Sequence, residues 1–274
     1  MKKFWLVFML LIMGISIFAT ETLVIKGSNT VFPIAQLWIE ELKKQYDIRI
    51  TLEGAGSSTG IAALFNGTAD IANSSRWLKD KELVRMHEEG KYFVPFIIGY
   101  DGIAIIVNKK LNIESISLEE LKDIYTGKIR YWAQLNPNLP KKPIVVYSRN
   151  TASGTFETFE NIVLKGEKMS PTVRMVESTQ LEIDSVKNNP YAIAYTGLGY
   201  VTEDVKVLKV EKVMPTKATI LSGEYPISRP LFMFIDATNG LPDRGPVKIY
   251  INFAVSKKGQ ELVEKAGYIA AYGF

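Results

Sequence analysis

The sequence predicts an α/β fold of two lobes, each a mainly parallel sheet flanked by helices. Three observations support this prediction. The chain has 274 residues, enough for two lobes of ordinary size. Hydrophobic residues make up 47% of it and charged residues 23%, which is a globular composition. Short apolar strands alternate with amphipathic helices along most of its length.

The first predicted elements alternate strictly between strand and helix. Thr22–Lys26 is predicted as a strand, and Pro33–Tyr46, whose apolar residues lie four positions apart, as a helix. Ile48–Glu53 is the next predicted strand, and Gly60–Asn66 a short helix that Gly67 can terminate.

Later helices are predicted from their ends. Capping-box patterns at Ser117–Glu120 and Thr179–Glu182 open two helices, which end before Gly127 and at Asn189. A last helix is predicted over 256–266, with a glycine after it in the position that favours a left-handed cap. The remaining predicted segments are the strands Val94–Ile98, Ile103–Val107 and Ile144–Tyr147, and a helix over Phe156–Leu164.

Two apolar runs that contain glycines, Phe96–Val107 and Tyr191–Val201, are the predicted crossings between the lobes. Because no flexible linker divides the chain, more than one strand-like segment must join the two halves. We therefore expect lobe 1 to comprise residues 20–98 plus 203–274, and lobe 2 to comprise residues 99–202.

The N-terminus has the pattern of a secretory signal peptide over residues 1–19. Lys2 and Lys3 precede the apolar run Phe4–Phe18, which ends at the small residue Ala19. Ile17 makes the cleavage site imperfect, so an uncleaved anchor remains the alternative, while the absence of cysteine excludes a lipoprotein anchor. We expect the protein to be periplasmic or otherwise extracytoplasmic.

Composition excludes several classes of function. Without cysteine there is no disulfide framework and no thiolate nucleophile. The single histidine, His87, lies in a charged run that predicts solvated helix surface, and acidic residues show no metal-ligand spacing. A formal charge of +4 is too scattered for a nucleic-acid groove. No catalytic machinery, resident metal or cofactor is expected.

Three strand-to-helix turns rich in glycine and hydroxyl groups are the most informative pattern. They are Gly27–Thr30, Gly54–Gly60 and Ser148–Thr155, and the third contains Arg149. Helix N-termini present unpaired N–H groups that favour anions, and parallel strands bring such turns to one sheet edge. A single turn of this kind is also what ordinary helix capping produces. Three together favour a dehydrated tetrahedral oxyanion, whereas the missing Lys-[Ser/Thr] pair after Gly60 argues against a nucleotide P-loop.

Several motifs, in this order, resemble those of the phosphate-binding proteins of ABC-type phosphate uptake systems. The resemblance covers essentially all of the chain after the predicted signal peptide, and the combination of motifs is more specific than any one of them. The motifs are Gly27–Pro33, Gly54–Gly60, Asp70–Arg76, Tyr100–Ala104, Arg149–Thr155, Ala192–Tyr195, Tyr225–Pro230 and the tail Phe253–Ile269.

The resemblance implies a type II periplasmic-binding-protein fold that closes at a hinge on one phosphate ion and performs no chemistry on it. It implies a monomer whose partners are phosphate and the membrane permease and ATPase of an importer. The residues implied to bind phosphate are Ser28 or Thr30, the N–H of Val31 or Phe32, Ser57, Arg149, Ser153, Gly154 and Thr155.

One departure from the family concerns an acidic residue. Well-studied members have an aspartate where this chain has Ser75 as the ungapped match, and Arg76 beside it is either a further donor or a surface residue. Phosphate at neutral pH carries a P–OH group that needs an acceptor. Asp101, in an otherwise apolar strand, is the predicted acceptor; the alternative is that it accepts bonds from backbone amides at the hinge.

Three other functions remain open at this point. The same architecture can bind sulfate, molybdate or tungstate instead of phosphate. A phosphoryl-handling enzyme such as a phosphatase would need a metal or an activated nucleophile. A sensory protein that passes its bound state to a membrane receptor has the same sequence features as a transport protein.

Overall fold

The computed structural model describes residues 22–273, and its first elements follow the predicted alternation. Helix α1 has a proline in its first turn, where the missing N–H costs nothing. Helix α2 begins three residues before the predicted start, so that Ser57 belongs to its first turn. The bounds are β1 Thr22–Gly27, α1 Phe32–Leu42, β2 Arg49–Gly54, α2 Ser57–Phe65, β3 Ile71–Ser74 and α3 Asp80–Glu88.

Strand β4, Phe93–Asn108, is one continuous strand of 16 residues, whereas two separate strands are predicted there. The glycines between the predicted strands do not interrupt it, because β4 stays paired through them: Gly99 faces Leu231 and Gly102 faces Ser228 of a later strand. The next elements are β5 Ser115–Ile116, α4 Leu118–Thr126, which has the predicted capping box and left-handed Gly127, and β6 Val145–Arg149.

The segment after β6 forms a short α-helix, α5 Gly154–Phe159, that continues as one π-helical segment, Glu160–Leu164. Strand β7 is Arg174–Val176, and α6 is Thr179–Asn188. The capping box predicted at Thr179 is wrong by one residue. Ser178 is the N-cap, because its hydroxyl accepts from the N–H of Leu181.

The C-terminal helix is confirmed. Helix α9 has Ser256 as its N-cap, and Gly267 follows its end with a φ of +83°. The remaining bounds are β8 Ala192–Gly197, β9 Val205–Val210, α7 Lys217–Leu221, β10 Ser228–Asp236, α8 Gly245–Ala254, α9 Lys257–Lys265 and β11 Ile269–Ala270.

Strand β4 is shared by the two halves of the sheet. Along the main path the order is β2-β1-β3-β10-β4-β8-β6-β7. The first part of β4 pairs with β10 and β11, and its last part pairs with β8 and β9. The pairs β1–β2, β1–β3, β6–β7 and β6–β8 are parallel, and the antiparallel ladders all involve β4 or β10. The α/β architecture is therefore confirmed, with long antiparallel strands at its centre.

Packing departs from the predicted lobe boundary at residue 203. Strand β9 pairs with the same part of β4 as β8 does. Leu208 and Tyr225 are buried in one apolar cluster with Trp132 and Phe159, which belong to the predicted lobe 2. A separate cluster contains Leu23, from β1, with residues of α1, α8 and α9. The segment over 205–227 therefore packs with residues of lobe 2.

The predicted signal peptide, residues 1–19, lies outside the described residues. Between residues 22 and 273, none of the helices has the length and apolar character needed to cross a membrane.

Candidate functional site

The turns after β1, β2 and β3 meet at one edge of the sheet because these strands are parallel. Gly27, at the end of β1, is opposite Gly54 of β2 and Asn73 of β3. A Cβ on Gly27 would lie 2.1 Å from the carbonyl oxygen of Asn73, and its φ is +135°, so only glycine fits. Ser28 and Thr30, both buried, follow Gly27, whose carbonyl accepts from the N–H groups of Ala55 and Gly56 in the second turn.

Ser57 and Ser75 face each other at this edge. The hydroxyl of Ser57 accepts from the N–H of Ser75 at 3.1 Å, and the two hydroxyl oxygens are 3.4 Å apart. Gly154, the first residue of α5, approaches both: a Cβ there would lie 2.5 Å from Ser57 Oγ and 2.7 Å from Ser75 Oγ. The first turn of α5 is thus brought directly against that of α2.

Thr30 and Thr155 join the turn after β1 to the first turn of α5. Their hydroxyl oxygens are 3.1 Å apart, and both side chains are buried. Arg229, at the start of β10, donates from the same guanidinium nitrogen to Thr155 Oγ1 at 2.9 Å and Thr30 Oγ1 at 3.3 Å. Its other terminal nitrogen is buried without a hydrogen-bond partner among the described residues.

Arg149, at the end of β6, is a second buried guanidinium at this edge. Its terminal nitrogens donate to Thr179 Oγ1 at 2.9 Å and to the carbonyl of Glu177 at 2.8 Å. When the Asn29 amide is oriented to satisfy its neighbours, its oxygen also accepts from Arg149 at 2.8 Å. Nε has no partner in the described part of the chain, and burial lowers the pKa of the guanidinium.

Ser28 and Ser153 hold the backbone of their own turns. Ser28 Oγ accepts from the N–H groups of Thr30 and Val31 at 3.1 and 3.4 Å. Ser153 is the N-cap of α5, and its Oγ accepts from the N–H groups of Thr155 and Phe156 at 3.1 and 3.3 Å. A hydroxyl that accepts such bonds still has its own hydrogen to donate.

Asp101 lies in the middle of β4 and is 1% exposed. Its Oδ2 accepts from Arg229 at 2.8 Å, and Oδ1 accepts from the N–H of Leu198 at 2.9 Å. Burial raises the pKa of Asp101, and the Arg229 charge opposes that rise. A Cβ on Gly197 would lie 3.1 Å from both Asp101 Oδ2 and Thr30 Cγ2, which places the carboxylate next to the first turn.

Arg76 is a buried residue whose guanidinium is held by several acceptors. It is 5% exposed, and its terminal nitrogens donate to both carboxylate oxygens of Glu82 at 2.8 Å. They also donate to Ser58 Oγ and to the carbonyl of Trp77, at 3.0 and 2.7 Å. Nε lies 2.9 Å from Glu157 Oε2. The surface alternative for Arg76 is therefore wrong, and its role as a further donor to the anion stays a prediction.

The assembled edge is rich in donors. It combines hydroxyl groups, the first-turn amides of α2 and α5, and two guanidinium groups, with the buried carboxylate of Asp101 beside them. Between residues 22 and 273, no group of three His, Asp or Glu side chains is placed to hold a metal ion. His87 is exposed on α3 and is not part of this edge. Such an arrangement can bind a tetrahedral anion through charge-assisted and neutral hydrogen bonds.

Sequence reasoning missed two contributors to this edge, Arg229 and Asn29. Both lie inside motifs that carried the family resemblance, Tyr225–Pro230 and Gly27–Pro33. The available signal for Arg229 was a cation at the start of the apolar strand Ser228–Asp236. Its link to Thr30 and Thr155 depends on β10 pairing beside Asp101, which the sequence does not specify.

Comparisons with known proteins find a matching family profile and a similar curated protein. A family profile described as a PBP superfamily domain matches residues 17–258. The phosphate-binding protein PstS of Staphylococcus aureus (strain USA300) is 31% identical over 255 residues, which is 89% of this chain and 77% of that protein.

Two solved structures are similar over almost their whole length. A putative phosphate ABC transporter substrate-binding protein from Clostridium perfringens, solved with bound phosphate, has a TM-score of 0.84 and 33% identity, covering 92% of this chain and 100% of that one. An ABC-type phosphate transport receptor from Vibrio cholerae has a TM-score of 0.72 and 29% identity, covering 90% and 99%.

Proposed function

The chain belongs to the PBP superfamily, and from this membership we propose that it captures inorganic phosphate for an ABC importer. The observation that carries the proposal is the meeting of three donor-rich turns, with Arg149 and Arg229, at one buried edge. The relatives that bear the name phosphate-binding protein, and the phosphate-bound structure of one of them, support the choice of ligand.

Each predicted site residue has a role in this proposal. Thr30, Ser57, Ser75 and Thr155 donate from their hydroxyls, and Gly154 donates from the first N–H of α5. The hydroxyls of Ser28 and Ser153 and the N–H of Val31 complete the donors around the anion. Arg149 supplies the charge, since its Nε is a buried donor without a partner among the described residues. A water-excluded set of this kind strengthens every hydrogen bond to the ligand.

Asp101 is the acceptor for the phosphate P–OH group in this proposal. Its Oδ1 accepts one bond, from Leu198, so a lone pair remains for a second donor. Arg229 keeps the carboxylate paired when no phosphate is bound. A protonated anion gains this bond, whereas sulfate has no proton to donate and meets a buried negative charge. The contacts are equally those of a purely structural ion pair, which a substitution can distinguish.

Binding proceeds, in this proposal, by closure of two lobes about two crossings. One crossing is β4 within Phe96–Val107, where pairing passes from β10 to β8. The other lies at Tyr225–Arg229 rather than at the predicted Tyr191–Val201, because β9 packs with lobe 2 and β10 then begins opposite Gly102. The contacts Thr30–Thr155 and Ser57–Gly154 join the two lobes in the closed state.

We also propose that the protein acts as a monomer outside the cytoplasmic membrane, with a permease and an ATPase as partners, and that it catalyses no reaction. The basic and apolar N-terminal segment supports export. Binding proteins among the relatives support a role without catalysis.

A ligand screen on the purified protein tests the proposal against its rivals. A ligand that binds only the folded state raises the melting temperature by mass action. Phosphate should stabilise strongly at neutral pH, and sulfate, molybdate and tungstate weakly or not at all. Stabilisation by another oxyanion in preference to phosphate would overturn the choice of ligand, and release of phosphate from esters would favour an enzyme.

A further inference from the structure

Glu157 joins the two lobes through ion pairs that lie outside the candidate site. It lies on α5, in the predicted lobe 2, and its Oε2 is 2.9 Å from Arg76 Nε and 2.6 Å from Lys79 Nζ of lobe 1. The side chains of Arg76 and Glu157 are only 4% and 17% exposed, so this pair is largely removed from water. Such pairs are screened by salt far less than surface pairs.

Arg76 is held in place by its own lobe before it meets Glu157. Glu82 receives both of its terminal nitrogens, and Ser58 and Trp77 accept further bonds. The guanidinium is therefore fixed by residues of its own lobe, with Nε at ion-pair distance from Glu157. It also keeps a counter-charge if the lobes separate, so that opening leaves no buried, unpaired cation.

The same short helix carries anion donors and this ion pair. Ser153, Gly154 and Thr155 form its start, and Glu157 lies just beyond them. Next to this helix, the carbonyl of Ala152 accepts from the N–H of Ser58 at 3.2 Å, which adds a backbone contact between the same two turns. A movement of α5 away from lobe 1 therefore breaks the Glu157 pair and withdraws the donors of α5 from the ligand together.

An interlobe cleft of about 510 Å³ lies beside the pair. Its lining includes Arg76, Lys79 and Glu157, and also Arg229, whose guanidinium contacts Thr30 and Thr155. The ion pair thus borders the same cleft as an arginine of the candidate site.

We propose that Glu157, with Arg76 and Lys79, is a latch that holds the lobes closed and sets the rate of phosphate release. The latch makes no contact with the ligand and acts through the position of α5. This inference rests on the proposed function. Truncating one partner of a buried charge pair acts mainly on the dissociation rate.

The test is the release of radiolabelled inorganic phosphate into an excess of unlabelled phosphate. Glu157→Gln should release phosphate about tenfold faster or more, with an association rate within about threefold of the wild type. Lys79→Met removes the more exposed partner and should accelerate release less. Glu160→Gln, on the same helical segment, is the matched control, because no salt bridge is made by Glu160 among the described residues.

The outcomes separate the latch from the proposed function. If the wild type binds phosphate and both latch variants release it at the wild-type rate, the latch is overturned and phosphate binding stands. If the wild type does not bind phosphate, both are overturned. Should Glu157→Gln fold poorly, as judged by its melting temperature without ligand, Lys79→Met decides the question alone.

Discussion

Thr30 and Thr155 place their hydroxyl oxygens 3.1 Å apart although 125 positions separate them in the chain. Arg229 donates to both, and the same guanidinium is paired with Asp101. The two threonines that the sequence predicts as anion donors are therefore tied to the predicted acceptor through one arginine. Donors and acceptor belong to a single hydrogen-bonded network.

Replacing Arg149 should reduce phosphate affinity. The reduction should exceed what destabilisation of the fold alone would cause. Arg149→Ala should cost at least about 1.5–3 kcal/mol of binding free energy, the range for a charged hydrogen bond. Arg149→Lys should also bind less tightly, since an ammonium group cannot reproduce the planar fork. Calorimetric titration measures both. Arg174→Ala, an exposed arginine on the adjacent β7, is the control and should bind normally. Wild-type affinity in Arg149→Ala would place the site elsewhere.

Gly154→Ala should prevent the two turns from meeting. The added methyl would lie 2.5 Å from Ser57 Oγ and 2.7 Å from Ser75 Oγ, closer than real contacts allow. Because the clash is between elements that separate when the lobes open, we expect a folded protein with phosphate affinity reduced about tenfold or more. Gly273→Ala, where nothing lies within 4 Å, is the control. Equal affinity of the two variants would contradict the proposed meeting of these turns around the ligand.

Asp101→Asn should weaken phosphate binding and narrow the difference between phosphate and sulfate. The amide cannot repel sulfate as a carboxylate does, and it pairs less strongly with Arg229. Competition binding at neutral pH measures the selectivity, and melting without ligand reports the structural effect. Asp236→Asn removes a partly buried carboxylate paired with Lys91 and serves as the control. A folded Asp101→Asn protein with full selectivity would make Asp101 purely structural.

Glu182 should make stability depend on pH. It is fully buried on α6, and neither of its oxygens has a hydrogen-bond partner among the described residues. Burial raises its pKa well above the ordinary value of 4.5, while Arg149 opposes the rise. Its stabilising contribution is therefore complete below about pH 4.5 and is lost as pH rises through the raised pKa.

Glu182→Gln tests this dependence by removing the titrating group. We measure the free energy of unfolding by denaturation without phosphate. Relative to the wild type, the value for the variant should become larger as pH increases above about 4.5. Tyr195 and Tyr125, which also face Glu182, have raised pKa values and stay neutral in this range. Parallel pH profiles for the two proteins would show that Glu182 does not titrate between the folded and unfolded states.

Closure should make the protein more compact when phosphate is added. A small ion buried between two lobes requires them to approach about the proposed crossings. Small-angle scattering should show a smaller radius of gyration at saturating phosphate, and Gly154→Ala should remain close to its ligand-free value. An unchanged radius in the wild type would argue against a closing clamp.

Local patterns in the sequence predicted most of the fold. The capping box at Ser117 and the left-handed glycines Gly127 and Gly267 follow from short-range chemistry and are confirmed. The continuity of β4 could not be predicted, because Gly99 and Gly102 are extended only through their pairing with β10. The packing of β9 also depends on a distant strand partner, which periodicity does not reveal.

The candidate site was predictable as a set of turns but not as a set of contacts. Ser57 and Gly154 stand out as small residues in glycine-rich turns, Ser75 as the match to the family's aspartate, and the structure brings the three together. The roles of Arg229 and Arg76 depend on which acceptor each guanidinium reaches. Both are single cations in motifs that carry the family resemblance, and only the three-dimensional arrangement shows that Arg229 lies at the candidate site while Arg76 is paired outside it.

Titration of the purified protein with phosphate, followed by displacement with sulfate, tests the central claim most directly. We expect one phosphate per chain in a calorimetric titration at neutral pH, and no displacement by a large excess of sulfate. If phosphate produces no saturable binding, or if sulfate displaces it at comparable concentration, the proposal of a phosphate-selective binding protein is contradicted.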